Sequence, residues 1–265
     1  MYEILLPIAI IVIIGLALGV MLVVAARFMA VKVDETFEQL RAELPGVNCG
    51  ACGYVGCDDY AKALAAGGVE ANLCIPGGVD CARKLSGILG VSVADVKEQY
   101  AVVCCSASSD NTDYCMDYKG PQTCAACNSF YQGRRTCSHA CLGLGDCVGV
   151  CEYDALHIIN GVAVIDPLAC TGCGMCARTC PNELIRVIPR DSKVFVACSS
   201  NDKGAYVRKV CKAGCIGCRI CEKACEYSAI TVNGNLALID SDKCTNCGVC
   251  VAKCPAKVIH FACQS

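Results

Sequence analysis

Residues Ile4 to Ala26 form an apolar run without a single charged side chain. Those 23 residues, at a rise of ~1.5 Å each, match the ~30 Å hydrocarbon core of a bilayer, so the pattern predicts a transmembrane helix over residues 1–27. A cleaved signal peptide would carry a positive residue ahead of a shorter run. Here Glu3 precedes the run, and Arg27 and Lys32 follow it. That distribution predicts an uncleaved single-pass anchor in the cytoplasmic membrane, N-terminus outside and the remaining chain in the cytoplasm. Gly15 and Gly19 form a small-xxx-small pair at which a partner helix can approach closely.

Beyond the anchor the pattern turns amphipathic. Asp34 to Leu44 sets Phe37, Leu40 and Leu44 at helical spacing behind an acidic first turn, and Pro45-Gly46 ends it, giving a linker helix within residues 28–46. A further helix is expected over Asp58 to Ala66. Later the period becomes that of short strands. Glu152–Asp166 and Glu226–Asp240 each flank an Asn-Gly pair with β-rich stretches, a hairpin signal. The two are copies: Cys147, Cys151, Cys170, Cys173, Cys176 and Cys180 recur 74 residues later at Cys221, Cys225, Cys244, Cys247, Cys250 and Cys254. The expected fold class is α+β, with the anchor and linker followed by a small helical module (47–91), a Cys-rich connector (92–136) and two tandem repeat units (137–200 and 201–265).

The cysteines point to iron and sulfur. They number 29 of 265 residues, and they fall in cluster spacings along a chain far longer than a typical disulfide scaffold. Three runs read Cys-x2-Cys-x2-Cys-x3-Cys, at Cys170–Cys180, Cys215–Cys225 and Cys244–Cys254. Three thiolates so spaced wrap one corner of a [4Fe–4S] cube, and the fourth serves a second cube. Zinc sites instead pair two Cys-x2-Cys arms across a gap. A fourth run is stretched: Cys137-x3-Cys141-x5-Cys147-x3-Cys151, with a glycine-rich insert that allows a longer wrap. That insert lacks the strand-turn-helix setting of a nucleotide loop. A different pattern, Cys49-x2-Cys52-x4-Cys57-x16-Cys74, is laced with Gly50, Gly53 and Gly56, which permit the left-handed turns a cube-wrapping loop needs.

Each repeat unit looks like a bacterial two-cluster ferredoxin, and the crossover rule of that fold predicts the ligand sets. Cys137, Cys141, Cys147 and Cys180 hold one cube, and Cys151, Cys170, Cys173 and Cys176 the next. Cys215, Cys218, Cys221 and Cys254 hold a third, and Cys225, Cys244, Cys247 and Cys250 a fourth. With the Cys49–Cys74 module this makes five. The segment Val102–Ser106 is similar to Phe195–Ser199, each preceding a unit, so a sixth cube is expected on Cys105, Cys124, Cys198 and Cys211, with Cys104 or Cys115 as substitutes. The alternative is that these are small buried apolar residues. Cys81, Cys127 and Cys263 are left without a role, and His139, His157 and His260 are not expected as ligands.

Formal net charge is −2, and each loaded cube adds about two negative charges, so nothing points to nucleic acid. The basic pairs Arg83-Lys84, Arg134-Arg135 and Arg208-Lys209 are candidate contacts for an acidic ferredoxin. Glu152 and Glu226 stand where Pro181 and Pro255 follow the other runs, and a carboxylate there is expected to lower the potential of the nearest cube. Trp is absent and Phe numbers five, so the cubes must replace part of an ordinary core.

Taken together, the anchor, the Cys49–Cys74 module and the tandem ferredoxin units resemble the B subunit of the Rnf complex, the membrane-bound ion-translocating ferredoxin:NAD+ oxidoreductase. The strings Cys141–Cys147 and Val210–Cys218 are similar to that family as well. The resemblance implies a translocase subunit that accepts electrons from reduced ferredoxin. It relays them through [4Fe–4S] clusters to membrane subunits carrying flavin and iron–sulfur centres, and ultimately to NAD+, while Na+ or H+ is transported. The chain itself has no dinucleotide fingerprint, no flavin motif and no charged group in its apolar run, so NAD+ chemistry and ion conduction fall to other subunits and no catalytic residue is expected here. A membrane-tethered polyferredoxin feeding a hydrogenase without ion pumping is the alternative. A corrinoid methyl-transfer protein lacks room for its second domain, and a sensor has no need of five or more clusters.

Overall fold

The structure, a computed structural model, describes residues 2–28, 35–92, 96, 98–130 and 132–262, with side chains of the first helix described over 12–25. Cys263 lies outside the described residues. Helix α1 (Tyr2–Phe28) presents every described side chain to the exterior. The stretch with described side chains covers ~21 Å, and among the described residues no helix is long and apolar enough to cross a membrane.

Three helices build the N-terminal module: α2 (Glu35–Glu43), α3 (Cys57–Ala66) and α4 (Gly78–Leu89). Leu40, Tyr60, Leu64 and Leu85 meet between them, each at most 1 % exposed. Polar ties fix the packing. Arg41 pairs with Asp58 across α2 and α3, and Lys84 Nζ lies 2.8 Å from Glu43 across α4 and α2. The Tyr60 hydroxyl donates to the Glu70 carbonyl (2.7 Å) and accepts from Leu73 N–H (3.3 Å), which holds the loop leading to Cys74.

The rest of the chain is two copies of one plan. The first comprises β1 (Gln99–Val103), α5 (Cys124–Ser129), α6 (Asp146–Gly149), β2 (Leu156–Ile159), β3 (Val162–Ile165), α7 (Met175–Thr179) and β4 (Ile185–Pro189). The second comprises β5 (Val194–Val196), α8 (Gly204–Val210), α9 (Ile220–Ala224), β6 (Ile230–Asn233), β7 (Leu236–Ile239), α10 (Val249–Lys253) and β8 (Ile259–Phe261). All pairing is antiparallel: hairpins β2–β3 and β6–β7, and closing pairs β1–β4 and β5–β8. The packed units therefore begin with strands upstream of their first cysteines, at Gln99 and Val194 rather than at 137 and 201. A lone two-stranded hairpin is marginal in water, and the outer strand pair gives each unit the second apolar layer it needs.

Both hairpins turn on two residues with positive φ, Asn160 and Gly161 (48° and 77°) in the first, Gly234 and Asn235 (53° and 69°) in the second. That is the geometry of a type I′ turn. In the second hairpin the turn sits one residue later than the Asn233-Gly234 pair suggests, because Asn233 still pairs with Leu236 as the last residue of β6.

Both arginines of the connector are engaged internally. Arg135 is 3 % exposed; its guanidinium lies 4.6 Å from the Tyr114 ring centroid and donates to the Gly161 carbonyl at 2.8 Å. Arg134 donates to the Leu142 carbonyl at 2.9 Å. The Arg134-Arg135 pair, a docking candidate by sequence, is instead an internal clamp joining the connector to the first hairpin. Arg83 and Lys84 are engaged with Asp80 and Glu43, whereas Arg208 and Lys209 are exposed.

Candidate metal centres

Four cavities are each walled by four cysteines. Cys49, Cys52, Cys57 and Cys74 line one in the N-terminal module. Cys215, Cys218, Cys221 and Cys254 line one in the second unit. Cys124, Cys141, Cys147 and Cys180 line one in the first unit. Cys105, Cys137, Cys198 and Cys211 line one between the two units. Two more groups of cysteines gather. Cys151, Cys170 and Cys173 are near neighbours of Cys176, and Cys244 and Cys247 of Cys250, with Cys225 packed on the same core. Among the described residues no three His, Cys, Asp or Glu side chains converge closely enough to hold a single metal ion. The four thiols stand around a void instead, as the corners of a cube require.

The arrangement departs from the sequence expectation at one point: Cys124 and Cys137 exchange places. Motif spacing assigns Cys124 to the inter-unit site and Cys137 to the set with Cys141, Cys147 and Cys180; the structure reverses both assignments. The physical cause lies in Asp146, immediately before Cys147. Its carboxylate accepts from Cys124 N–H (2.7 Å) and Ala125 N–H (3.1 Å), capping α5 together with Thr123 and drawing Cys124 to the first-unit cavity. Cys137 meanwhile packs with Ala107, Ala140, Val210 and Cys211. The irregular x3 spacing after Cys137 is the available signal, since that cysteine belongs to no triplet.

Local structure sets the remaining sulfurs. Asn48 Oδ1 accepts from Cys57 N–H (2.8 Å), folding the glycine-rich loop back on the start of α3. Sulfur also receives backbone donors: Ala101 N–H points at Cys170 Sγ (3.4 Å), Cys141 N–H at Cys105 Sγ (3.3 Å) and Leu184 N–H at Cys180 Sγ (3.5 Å). Such donors stabilise negative charge on a ligand sulfur. Gly217 has φ +64°, and a Cβ there would meet the Asn235 backbone at 2.9 Å, so the Cys215–Cys221 loop seats directly on the second hairpin turn.

Cys81, Cys104, Cys115 and Cys127 line none of these cavities. Cys81 is buried and donates to the Glu43 carbonyl at 3.3 Å; Cys104 is 3 % exposed, with its N–H on the Leu184 carbonyl. Glu152 and Glu226 are both exposed, where solvent screens their effect on a cube.

Burial pushes five of the clustered thiols well up, to about 12 for Cys105, Cys147 and Cys176 and about 11 for Cys137 and Cys221. Desolvation disfavours the thiolate, and the crowding of one thiol by its neighbours adds to it. A bound iron centre reverses this logic by supplying positive charge to deprotonated sulfur. Loading must then expel protons, so it weakens as pH falls. Reconstitution with iron and sulfide is expected to release protons into a weakly buffered solution and to give lower occupancy at about pH 6 than at about pH 8. Proton counting with a pH-stat checks it.

The six groups also form a succession. Cys173 lies near Cys49, and Tyr153 stands by Cys173, Cys49 and Cys74, so the N-terminal module abuts the Cys151/170/173/176 group. Arg178 on α7 donates to the Cys49 carbonyl, fastening that contact. Cys147 lies near Cys176, Cys141 near Cys105, and Cys198 near Cys215, while Cys221 on α9 and Cys250 on α10 share one core. Neither Tyr153 nor Arg178 carries a motif, and their role emerges only from the contact of two modules. Several cysteine-walled sites that follow one another at close range define the class: an electron-transfer protein that carries [4Fe–4S] clusters in series.

Comparison with known proteins narrows the class. Residues 44–76 match the family described as "Putative Fe-S cluster", 163–186 a 4Fe-4S binding domain and 214–258 a 4Fe-4S dicluster domain. The B subunit of an ion-translocating oxidoreductase complex of Methanosarcina acetivorans is 39 % identical over 93 % of this chain and 94 % of its own length. The B subunit of the Na(+)-translocating ferredoxin:NAD(+) oxidoreductase complex of Acetobacterium woodii is 37 % identical over 97 % of this chain and 78 % of its own. The proton-translocating counterpart of Clostridium ljungdahlii is 36 % identical over 93 % and 88 %. The chain belongs to the family of B subunits of ion-translocating (Rnf-type) oxidoreductase complexes.

Proposed function

We propose that this chain is the electron-transfer subunit of an ion-translocating ferredoxin:NAD+ oxidoreductase, a wire of six [4Fe–4S] clusters. The succession of cysteine-walled sites carries the reading. From the C-terminal end the order is Cys225/244/247/250, Cys215/218/221/254, Cys105/137/198/211, Cys124/141/147/180, Cys151/170/173/176 and Cys49/52/57/74. These cysteines hold the cubes, and the cubes supply one-electron chemistry when bound. Backbone donors to sulfur and the burial of the middle sites tune potentials and keep water away. The N-terminal module, which follows α1 in the chain, is the exit towards flavin and iron–sulfur subunits in the membrane, with reduced ferredoxin as the donor at the other end. The transport step lies in other subunits of the complex. The coupling ion is Na+ or H+, the two for which relatives of nearly equal identity are named.

We further propose that α1 anchors the chain in the cytoplasmic membrane, N-terminus outside. Support comes from the uncharged run Ile4–Ala26, the basic Arg27 and Lys32 after it, and the outward-facing described side chains of the helix.

The test is anaerobic purification from a membrane fraction, followed by mixing with pre-reduced ferredoxin. Bleaching of the iron–sulfur absorption and [4Fe–4S]+ EPR signals are expected. A zinc-loaded, colourless chain, or one that stays oxidised in the presence of reduced ferredoxin, overturns the reading.

A further inference from the structure

The 74-residue repeat sets two equivalent faces side by side for comparison. In the first unit, Tyr153, Thr171, Cys173, Met175 and Thr179 are all partly buried. Within this group Tyr153 and Cys173 lie near thiols of the N-terminal module, and the neighbouring Arg178 donates to the Cys49 carbonyl. This face takes up another iron–sulfur module. One repeat further on, the same positions are Tyr227, Thr245, Cys247, Val249 and Lys253, and every one of them is exposed, Tyr227 at 51 % and Val249 at 40 %. Of the twenty-four cysteines assigned to cubes, Cys218 and Cys247 are the two that are exposed, and both belong to the second unit. Among the described residues nothing covers this copy of the face.

Charge distinguishes the two copies. Residues 193–265 contain ten Lys and Arg against five Asp and Glu, whereas residues 99–192 of the first unit contain six against nine. Three of the differences fall around this face: Gly149, Thr179 and Glu183 of the first unit correspond to Lys223, Lys253 and Lys257, all exposed. Lys223 on α9 and Lys253 on α10 belong to helices packed on each other. Positive charge around an accessible redox centre raises the encounter rate with a negatively charged partner by roughly 10- to 10³-fold at low salt.

We propose that the face centred on Cys247 and Tyr227 is the docking surface for a soluble, acidic iron–sulfur protein, drawn there by the surrounding lysines. This rests on the reading that reduced ferredoxin is the electron donor. One electron passes from the donor's reduced cluster, which is oxidised, to the cube behind Cys247, which is reduced; no bond breaks and no proton moves.

The experiment uses the full cluster-loaded chain and stopped-flow reduction by a reduced two-cluster ferredoxin at low ionic strength. Lys253→Glu/Lys257→Glu is compared with Lys62→Glu/Lys119→Glu, which makes the same change of net charge on exposed side chains elsewhere. Photoreduced deazaflavin, a small reductant, reports that the clusters are intact in each variant. The second-order rate with ferredoxin is expected to fall about tenfold or more in the first pair and to stay within about twofold in the second. Reduction by deazaflavin is expected to be equal in all. Equal ferredoxin rates in both pairs and wild type, or equal losses in both pairs, overturn the docking surface while leaving the donor in place. A wild-type protein that ferredoxin does not reduce overturns the donor reading and this surface with it.

Discussion

Cys124→Ala and Cys137→Ala are each expected to cost one cube, and different ones. Six cubes correspond to about 24 iron atoms per chain, so either variant falls to about 20. The partition appears in combination with Cys141→Ala. Cys124 and Cys141 share the first-unit cavity, so their double variant stays at about 20 iron. Cys137 lines the inter-unit cavity with Cys105, Cys198 and Cys211, so Cys137→Ala/Cys141→Ala falls to about 16. Interchanged results would restore the simple ferredoxin pattern, with Cys137 beside Cys141, Cys147 and Cys180. Because the inter-unit site takes two cysteines from each half, Cys137→Ala should also loosen the contact between units. Limited proteolysis near residue 193 is the readout: Cys137→Ala is expected to be cut faster there than Cys124→Ala.

Stripping iron should remove the tertiary structure of the second unit altogether. Its strands are three or four residues long and its helices five to seven. Helices so short are not stable alone, and chains of this size with small cores need metals or disulfides. The core is Val194, Val196, Ile230, Leu236, Ala237, Val258 and Ile259, interleaved with Cys215, Cys221 and Cys250. Without iron those thiols are buried weak hydrophobes around voids, whereas each cube links strands, loops and helices through four bonds. Chelation under anaerobic conditions is expected to abolish the near-UV circular dichroism and the cooperative melting of the unit, and iron with sulfide to restore both. A melting transition unchanged by chelation would contradict this.

Much of the fold is legible in the sequence because ligand spacing is a local property. Cys170–Cys180, Cys215–Cys225 and Cys244–Cys254 announce their loops, and the 74-residue repeat locates both hairpins without tertiary information. The pairing of Gln99–Val103 with Ile185–Pro189 is not legible, since it joins segments more than eighty residues apart through backbone hydrogen bonds that leave no residue signature. The exchange of Cys124 and Cys137 is hidden for a related reason. It depends on Asp146 capping a helix that begins at Cys124, a contact between side chain and backbone across twenty-two positions. Arg134 and Arg135 mislead in the opposite direction. A basic pair in a polar segment suggests a surface, yet Tyr114 and the Gly161 and Leu142 carbonyls bury or hold both guanidinium groups.

The succession of sites is what makes the chain a wire rather than a store of clusters, and it requires the inter-unit site to be filled. Without a cube on Cys105, Cys137, Cys198 and Cys211, the two units would be joined by protein alone. Iron and acid-labile sulfide, measured together on the anaerobically purified full chain, test this most directly. About 24 of each per chain is the predicted result; about 20 of each, with the cube missing from the inter-unit site, would contradict it.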